Sequence, residues 1–276
     1  MNKNAETFAD LIETCDGMLA AHVYERIYKV GLRGGTIVEV GTAMGAATVA
    51  LALGLKASGK PGHVFSFDPM TGGPRRSINT TPERLGRIEE NLSRYGVRDF
   101  VTVTPRDLYD GFSALPKDEK ISVLMLDADG RIDRDLATLR GRLAADCFLI
   151  IDDVADLVRV KRHNKTYRVD SKMRLSWLLT NMLIEKGRLS PGERLINTYF
   201  GASIGEGPII SPGEALEVYR ELVFQSAPAN LLQRMKNSAI HWLEALGPDI
   251  TAKLRKGYRG VKYRDGRTEN LERKTI

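Results

Sequence analysis

The feature that most constrains the fold is a series of five short apolar segments between residues 36 and 151, interspersed with helical patterns. The segments cover 36–40, 63–67, 100–103, 121–126 and 147–151, and helical spacing covers about 45–57, 82–95 and 132–144. Strands that alternate with helices form a parallel sheet with crossover helices. The almost continuous apolar character of the last two segments fits strands buried on both faces. We therefore predict an α/β protein with a Rossmann-like, doubly wound, mostly parallel sheet.

The flanking regions follow other patterns. Apolar residues at helical spacing predict N-terminal helices over about 5–30, ending near Gly31. Further helices are predicted over 171–186, 213–225 and 229–246, with a β-hairpin across 194–210 whose turn uses the glycines of 201–207. We predict one domain over 1–250, comprising N-terminal helices (1–32), a ligand-binding core (33–155) and substrate-side and C-terminal elements (156–250). The basic tail, 251–276, has a composition typical of disorder.

Composition narrows the class of protein. No apolar run approaches the ~20 residues that span a bilayer, and Asp10, Glu13 and Asp16 interrupt the N-terminal segment, so neither a membrane span nor a secretory signal is expected. Two cysteines, Cys15 and Cys147, cannot form a disulfide framework, and Cys147 lies in an apolar strand. These features predict a cytoplasmic protein.

A glycine turn follows the first strand. Gly41 permits a sharp turn and close approach of a ligand to the backbone, and Gly45 begins a helix whose free N–H groups face the same crevice. The dinucleotide fingerprint needs a middle glycine where this chain has Ala43, so a nicotinamide dehydrogenase is the least favoured enzyme. Glu39, two residues before Gly41, suits a cationic ligand.

The pattern Glu39-x-Gly41-x-x-x-Gly45 resembles motif I of the class I S-adenosylmethionine-dependent methyltransferases, in the form found in catechol and caffeoyl-CoA O-methyltransferases. The resemblance covers about residues 20–155 and implies the sheet order of that family. It also implies that the turn contacts the methionine part of the cofactor and that Glu39 places its ammonium group. The implied cofactor-binding residues are Glu39, Gly41, Thr42, Ala43, Gly45, Asp68 and Asp107.

Two of those acids have structural alternatives. Asp68 ends the second strand, where the family has the acid that binds the ribose hydroxyls, but it could also cap the turn before Pro69. Asp107 follows the third strand at the position of the family's adenine-contacting acid. Arg106 precedes it where the family usually has glycine, and helix capping is an equal alternative for Asp107.

Acidic residues also end the fourth and fifth strands. Asp127 and Asp129 follow one strand, and Asp152 and Asp153 follow the other. Neighbouring parallel strands open into one cleft, where so many carboxylates need protons or a cation such as Mg²⁺, Mn²⁺ or Ca²⁺. The pattern resembles the metal-dependent O-methyltransferases, which implies that Asp127, Asp152 and Asp153 are the metal ligands. The alternative is helix capping at the strand ends.

The chain departs from this resemblance at the general base. Gly130 stands where plant-type relatives have lysine and sugar or antibiotic methyltransferases often have histidine. His163, in a basic loop, and Asp129 are the candidate substitutes for the catalytic base. A histidine in such a loop can equally be a surface residue.

The charge is positive overall and uneven. The net charge is +6, and residues 159–174 hold seven Lys/Arg against one Asp. This basic segment directly follows the metal acids and could wall the cleft for an anionic acceptor, with Arg75 and Arg76 closing the same mouth. A solvated surface remains the alternative.

Together these patterns predict an S-adenosylmethionine-dependent O-methyltransferase, divalent-metal-dependent, acting on a small natural-product, sugar or phenol-type hydroxyl compound. The alternatives are an RNA methyltransferase and a catalytically inactive cofactor-binding partner protein, for which Gly130 is the best support. A homodimer is expected, built from the N-terminal helix and C-terminal helical segments. Nucleic acid is the less favoured partner because no zinc spacing or RNA-binding aromatic signature is present.

Overall fold

The computed structural model describes residues 3–71, 80–163, 166–205 and 207–224, with the single positions 235 and 239. Several predicted features lie outside these residues: most of the helix over 229–246, the tail 251–276, and the two arginines Arg75 and Arg76.

A seven-stranded sheet forms the centre of the molecule, and a two-stranded hairpin lies apart from it. The central strands are β1 (Gly35–Val40), β2 (Gly62–Phe67), β3 (Val101–Thr104), β4 (Ile121–Leu126), β5 (Leu143–Ile151), β8 (Glu193–Leu195) and β9 (Thr198–Ala202), and the hairpin strands are β6 (Arg159–His163) and β7 (Thr166–Asp170). The central order is β3-β2-β1-β4-β5-β9-β8, with β1 to β5 parallel and β9 antiparallel to both neighbours. This confirms the predicted Rossmann-like fold.

Helices cover both faces of the sheet. They are α1 (Lys3–Thr14), α2 (Ala21–Gly31), α3 (Ala46–Ser58), α4 (Thr81–Arg94), α5 (Leu108–Gly111), α6 (Ile132–Thr138), α7 (Lys172–Glu185) and α8 (Pro212–Phe224), with single 3₁₀ turns at Arg98–Phe100 and Phe112–Ala114. One apolar core joins α1–α4 to the sheet, and a second joins α6–α8 to the opposite face. Within the described residues, no helix combines the length and apolar character needed to cross a membrane.

The strand register brings the acidic strand ends together. Val40 of β1 pairs with Leu126 of β4, which in turn pairs with Ile151 of β5. The amide of Asp152 donates to the carbonyl of Leu126 at 3.0 Å, so the residues that follow these strands leave the sheet side by side. The last residue of each of these three strands is buried and apolar, so the polar residues begin directly after the strand ends.

The boundaries agree with the sequence where local signals are strong. Thr80 and Glu83 form a reciprocal capping box at the start of α4, with Pro82 in the first turn. The predicted helix over 132–144 instead ends at Thr138. A turn follows, in which the amide of Arg142 donates to Leu139 and Gly141 has φ +77°, and β5 begins at Leu143. Pairing with β4 outweighs the helical spacing there.

The predicted N-terminal helices are α1 and α2, separated by residues 15–20. Two further departures involve strand pairing. The predicted turn at 201–207 is wrong, because the β8–β9 hairpin turns at Ile196, with φ +60°, and Gly201 lies within β9 opposite Leu149. The basic segment 159–174 contains a β-hairpin, β6–β7, that the sequence analysis did not predict.

Candidate active site

The glycine turn is held tightly between three strands. The amide of Gly41 donates to the carbonyl of Phe67 at 2.8 Å, and Gly41 has φ +103°. A Cβ at this position would collide with the backbone carbonyl of Asp127. Only glycine therefore fits both the backbone angle and the close packing of β1 against the end of β4.

Asp68 fixes the shape of the same turn. Its two carboxylate oxygens accept hydrogen bonds from the amides of Ala43, at 3.0 Å, and Met70, at 2.7 Å. Both amides belong to residues with positive φ, +51° at Ala43 and +58° at Met70. Asp68 thus stabilises backbone that non-glycine residues rarely adopt. It sits beside the turn, as the resemblance requires of a ribose-binding acid.

Glu39 is buried beneath the turn. One of its carboxylate oxygens accepts hydrogen bonds from Ser66 and, at 2.6 Å, from Thr48. The other oxygen, Oε1, is buried and has no hydrogen-bond partner among the described residues. Burial raises the pKa of Glu39 to about 7, although the two hydroxyl donors oppose the shift. An unsatisfied buried carboxylate oxygen fits a site that receives a cationic group.

A cavity lies on the outer side of the turn. The connection between α1 and α2 forms one wall, the glycine turn and the start of α3 form the other, and Tyr24 and Asp127 also line it. The wall residues from the connection are Cys15, Asp16, Gly17, Met18 and Leu19, and those from the turn are Gly41, Thr42, Ala43, Met44, Ala46 and Ala47. The N-terminal region therefore covers the predicted methionine-binding position.

Three carboxylates meet at the ends of β4 and β5. Asp127, Asp152 and Asp153 each place one carboxylate oxygen within 4.8 Å of the other two. Asp152 is buried, at 8% exposure, and accepts a hydrogen bond from Thr198 of β9 at 2.6 Å. Burial, together with the charges of Asp127 and Asp153, raises the pKa of Asp152 well above its usual range. The predicted acidic cluster is thus present.

A lysine that the sequence analysis did not assign completes this cluster. Lys172, the first residue of α7, places its Nζ 2.8 Å from Asp153 and 3.2 Å from Asp127. Burial alone would lower the pKa of Lys172, but the three carboxylates reverse this and raise it. The available signals were its place in the basic segment 159–174 and in the first turn of a helix, where the helix dipole disfavours a cation.

The three carboxylates and the side chain that lies against them indicate different cations. Three carboxylates suit a hard divalent ion, as predicted. In the observed arrangement, however, the ammonium of Lys172 lies against two of them. The residues as arranged fit this ammonium, and a divalent ion at the same carboxylates would require Lys172 to move away.

The remaining candidates lie in less favourable positions. Asp129 is held by Arg134, at 2.8 and 3.1 Å, and by the amide of Arg131. Burial would raise its pKa, but these donors lower it, which makes Asp129 a poor base. His163 ends β6 at the tip of the hairpin, four residues and roughly 13 Å along the strand from Arg159 at its base. Asp107 caps α5 by accepting from the amide of Asp110 at 2.9 Å.

Comparison with protein families finds one match. Residues 38–154 match the family model Methyltransf_24, described as a methyltransferase domain. This range begins in β1 and ends just after the acids of β5, so it contains the glycine turn and the three carboxylates. No curated protein matches the chain in sequence.

Several solved structures share the fold. An O-methyltransferase from Bacillus cereus in complex with SAH aligns with a TM-score of 0.52 at 15% identity, covering 74% of this chain and 92% of that one. The O-methyltransferase TomG from Streptomyces achromogenes, in complex with SAM, gives 0.51 at 14% identity over 74% and 91%. The SAH-bound methyltransferase PaMTH1 from Podospora anserina gives 0.53 at 12% identity over 74% and 89%. At such identities the likeness establishes the common fold.

Proposed function

We propose that the protein transfers a methyl group from S-adenosylmethionine to a hydroxyl oxygen of a small acceptor, because residues 38–154 match the methyltransferase-domain family model and lie in the Rossmann-like sheet. One observation carries the proposal. Asp127 lines the cavity beside the glycine turn and also belongs to the carboxylate cluster. The proposed cofactor site and acceptor site therefore adjoin at a single residue, as direct methyl transfer requires.

The cofactor site is assigned to the residues around the turn. Gly41, Thr42, Ala43 and Gly45 would contact the methionine part, Asp68 the ribose and Asp107 the adenine. Glu39 would attract the ammonium group, which is supported by its buried Oε1 without a partner among the described residues. The bound complexes of structural neighbours, with SAM or SAH, support the same cofactor.

When bound, the cofactor supplies an electrophilic methyl group on a sulfonium sulfur. An acceptor hydroxyl that took this methyl group would become a methyl ether and leave S-adenosylhomocysteine, and its proton would have to pass to a base, for which His163 and Asp129 are the candidates. The protein's task is to align the acceptor oxygen with the methyl carbon and to exclude water. The 15–19 connection and Tyr24, which wall the cavity, are suited to exclude water.

An anionic acceptor is proposed from the charge near the carboxylate end of the sheet. The β6–β7 hairpin carries Arg159, Lys161 and Arg168 and joins directly to α7 through Asp170. Lys161 is paired with Asp170, whereas Arg168 is exposed on the outer strand. A carboxylate or phosphate on the acceptor would complement this surface.

The metal-dependent form of the reaction is a second candidate. Asp127, Asp152 and Asp153 would bind Mg²⁺, Mn²⁺ or Ca²⁺, and their mutual distances within 4.8 Å favour it. It needs Lys172 to leave the cluster. For the base, His163 and Asp129 remain the candidates named from the sequence, and the ion pair with Arg134 disfavours Asp129.

Calorimetric titration of S-adenosylhomocysteine tests the cofactor assignment. We expect micromolar binding by the wild type and a clear loss in Asp68→Asn, while Asp99→Asn, an exposed acid before β3, serves as the matched control. Transfer of a labelled methyl group from S-adenosylmethionine is then assayed on phenols and hydroxy acids. Absence of any cofactor binding would refute the proposal.

The same assays separate the alternatives. Methylation of RNA with a steep salt dependence would favour the RNA methyltransferase. Cofactor binding without transfer to any acceptor class would favour the inactive partner protein. The homodimer and the cytoplasmic location stay predictions, which light scattering and fractionation would check.

A further inference from the structure

The start of α7 brings a positive charge into the three carboxylates. Lys172 is 22% exposed, and its Nζ contacts Asp153 at 2.8 Å and Asp127 at 3.2 Å. Lys172 and Asp152 also line one small pocket, together with Gly130 and Ser176. The ammonium therefore lies against two of the three carboxylates, and its residue adjoins the third in the lining of this pocket.

This ammonium and a divalent ion exclude each other. An ion bound to the three carboxylates would lie within roughly 3–4 Å of the present position of Nζ, because all of their ligating oxygens lie within 4.8 Å of one another. Two cations that close in a mostly buried site repel strongly. The cluster thus accommodates one cation at a time, and this chain supplies its own.

Gly130 makes room for the lysine. Gly130 has φ +83°, and a Cβ there would lie 2.9 Å from the carbonyl oxygen of Lys172 and 3.2 Å from both its Cγ and the Oγ of Ser176. A lysine or histidine side chain at position 130 would push α7 away. The position where the sequence lacks a basic residue is therefore the position against which Lys172 packs.

The backbone at Asp153 favours the same pairing. Asp153 has φ +58°, a conformation that costs about 1–3 kcal/mol for most residues and persists when the surroundings hold it. This residue makes the shortest contact with Lys172. The turn after β5 thus contains a residue that combines this uncommon backbone conformation with the contact to the lysine.

We infer that the ammonium of Lys172 takes the place of the divalent metal ion in this chain, so that part of the negative charge of the carboxylate cluster is offset without metal. This inference rests on the proposed function and deepens it. An ammonium has three N–H donors, and the contacts with Asp127 and Asp153 account for two of them. The acceptor oxygen would be oriented by a hydrogen bond rather than by chelation, so the acceptor class includes single hydroxyl groups as well as adjacent pairs.

Manganese binding tests the inference without any need for enzyme activity. Mn²⁺ is titrated into the full-length protein and free Mn²⁺ is followed by electron paramagnetic resonance. We expect no specific Mn²⁺ site in the wild type and one site in Lys172→Met. That site should bind Mn²⁺ at least roughly tenfold more tightly than the wild type's residual nonspecific binding, because a unit positive charge has been removed from the cluster. Adding Asp152→Asn to Lys172→Met should abolish that site.

Thermal unfolding gives an independent readout. Mn²⁺ should raise the unfolding midpoint of Lys172→Met and leave that of the wild type unchanged, because only a bound ion stabilises the folded state. Lys172→Arg keeps the charge and should exclude Mn²⁺ as the wild type does. One Asp152-dependent Mn²⁺ site in the wild type or in Lys172→Arg would overturn the inference, whether or not Lys172→Met folds. A folded Lys172→Met that gains no site would also overturn it.

Titration of S-adenosylhomocysteine in the presence of a chelator separates this inference from the proposed function. Undiminished cofactor binding after chelation supports the proposed function, whatever the manganese titration shows. Cofactor binding that requires added metal would overturn the role of Lys172 while leaving the methyltransferase proposal intact. Loss of cofactor binding under all conditions would refute the proposed function alone, because the manganese experiment does not depend on it.

Discussion

The two halves of the proposed site balance their negative charge in different ways. On the proposed cofactor side, Glu39 and Asp68 receive hydrogen bonds from hydroxyl groups and backbone amides, and Glu39 keeps one buried oxygen without a partner among the described residues. On the proposed acceptor side, the ammonium of Lys172 offsets part of the charge of Asp127 and Asp153. The first arrangement leaves capacity for a cationic ligand, and the second carries its own cation.

The difference agrees with what each half is proposed to bind. The hydroxyl groups stabilise the buried carboxylate of Glu39 only in part, so its pKa stays raised. An ammonium group that binds beside it would lower that pKa again. A full positive charge beside three carboxylates offsets part of their repulsion before any ligand arrives. Some acidic residues in one cleft can thus be free to attract a cationic ligand while others are already paired with a cation of the protein, and their hydrogen-bond and ion-pair partners distinguish the two groups.

The largest expected effect is on the acceptor side. Lys172→Met leaves buried carboxylates without their cation, and we expect it to lower the free energy of unfolding at neutral pH by about 3–5 kcal/mol. Urea denaturation measures this. Lys186→Met, which removes a more exposed ion pair with Glu214, should cost under about 1 kcal/mol.

Adding Asp153→Asn to Lys172→Met should recover part of that loss, because it removes one of the repelling charges. If Lys172→Met lowers the free energy of unfolding no more than Lys186→Met does, the carboxylates near Lys172 do not depend on its charge, and the two halves do not differ in this respect.

Gly41→Ala should have the next largest effect, on the cofactor side. The added methyl group meets the carbonyl of Asp127 at a positive φ, so the turn must shift, and we expect affinity for S-adenosylhomocysteine to fall about 100-fold, or nearly 3 kcal/mol. Calorimetry measures the affinity. Gly59→Ala also has a positive φ, but its added Cβ has open space, so it should cost only about 1 kcal/mol of stability and leave binding unchanged.

The titration of Glu39 sharpens the comparison further. Its pKa is raised from 4.5 to about 7 in the folded protein, so the folded state binds more protons than the unfolded state between these values. Stability contributed by the protonated group is therefore lost as pH rises from about 4.5 to about 7. We expect the wild type to lose about 2–3 kcal/mol relative to Glu39→Gln across this window.

Denaturation at a series of pH values checks this slope, with Glu217→Gln on the exposed face of α8 as the control. Equal slopes for the wild type and Glu39→Gln would mean that Glu39 is not protonated near neutrality. S-adenosylhomocysteine should reduce the slope, because its ammonium group favours the ionised carboxylate.

The smallest effect concerns Asp107 at the edge of the cofactor side. Asp107→Ala removes the cap of α5 and should cost about 1 kcal/mol of stability, whereas Asp107→Asn retains the cap. If Asp107 also contacts the adenine, calorimetry should show roughly fivefold weaker cofactor binding for Asp107→Ala, from the loss of one hydrogen bond. Unchanged affinity in both variants would leave Asp107 with capping alone.

The predictions from the sequence agreed with the structure where an element depends on neighbouring residues, and failed where it depends on pairing with a distant strand. The strands from β1 to β5 and the helix over 82–95 were predictable because their signals lie within a few residues. The helix over 132–144 was predicted too long, since Leu143 joins the sheet by pairing with Ile121. The hairpin turn was placed at 201–207 on its glycines, but the pairing of β9 with β5 moved it to Ile196.

The sequence by itself determined the alternating α/β fold, the glycine turn at Gly41 and the acids that end β4 and β5. Each depends on the order of residues along one strand and the turn after it. Only the tertiary structure decided which cation meets those acids. Lys172 lies 45 residues from Asp127, and the packing of α7 against Gly130 brings the two together. Local sequence patterns predict where acidic residues gather, but the packing of distant elements determines which cation lies beside them.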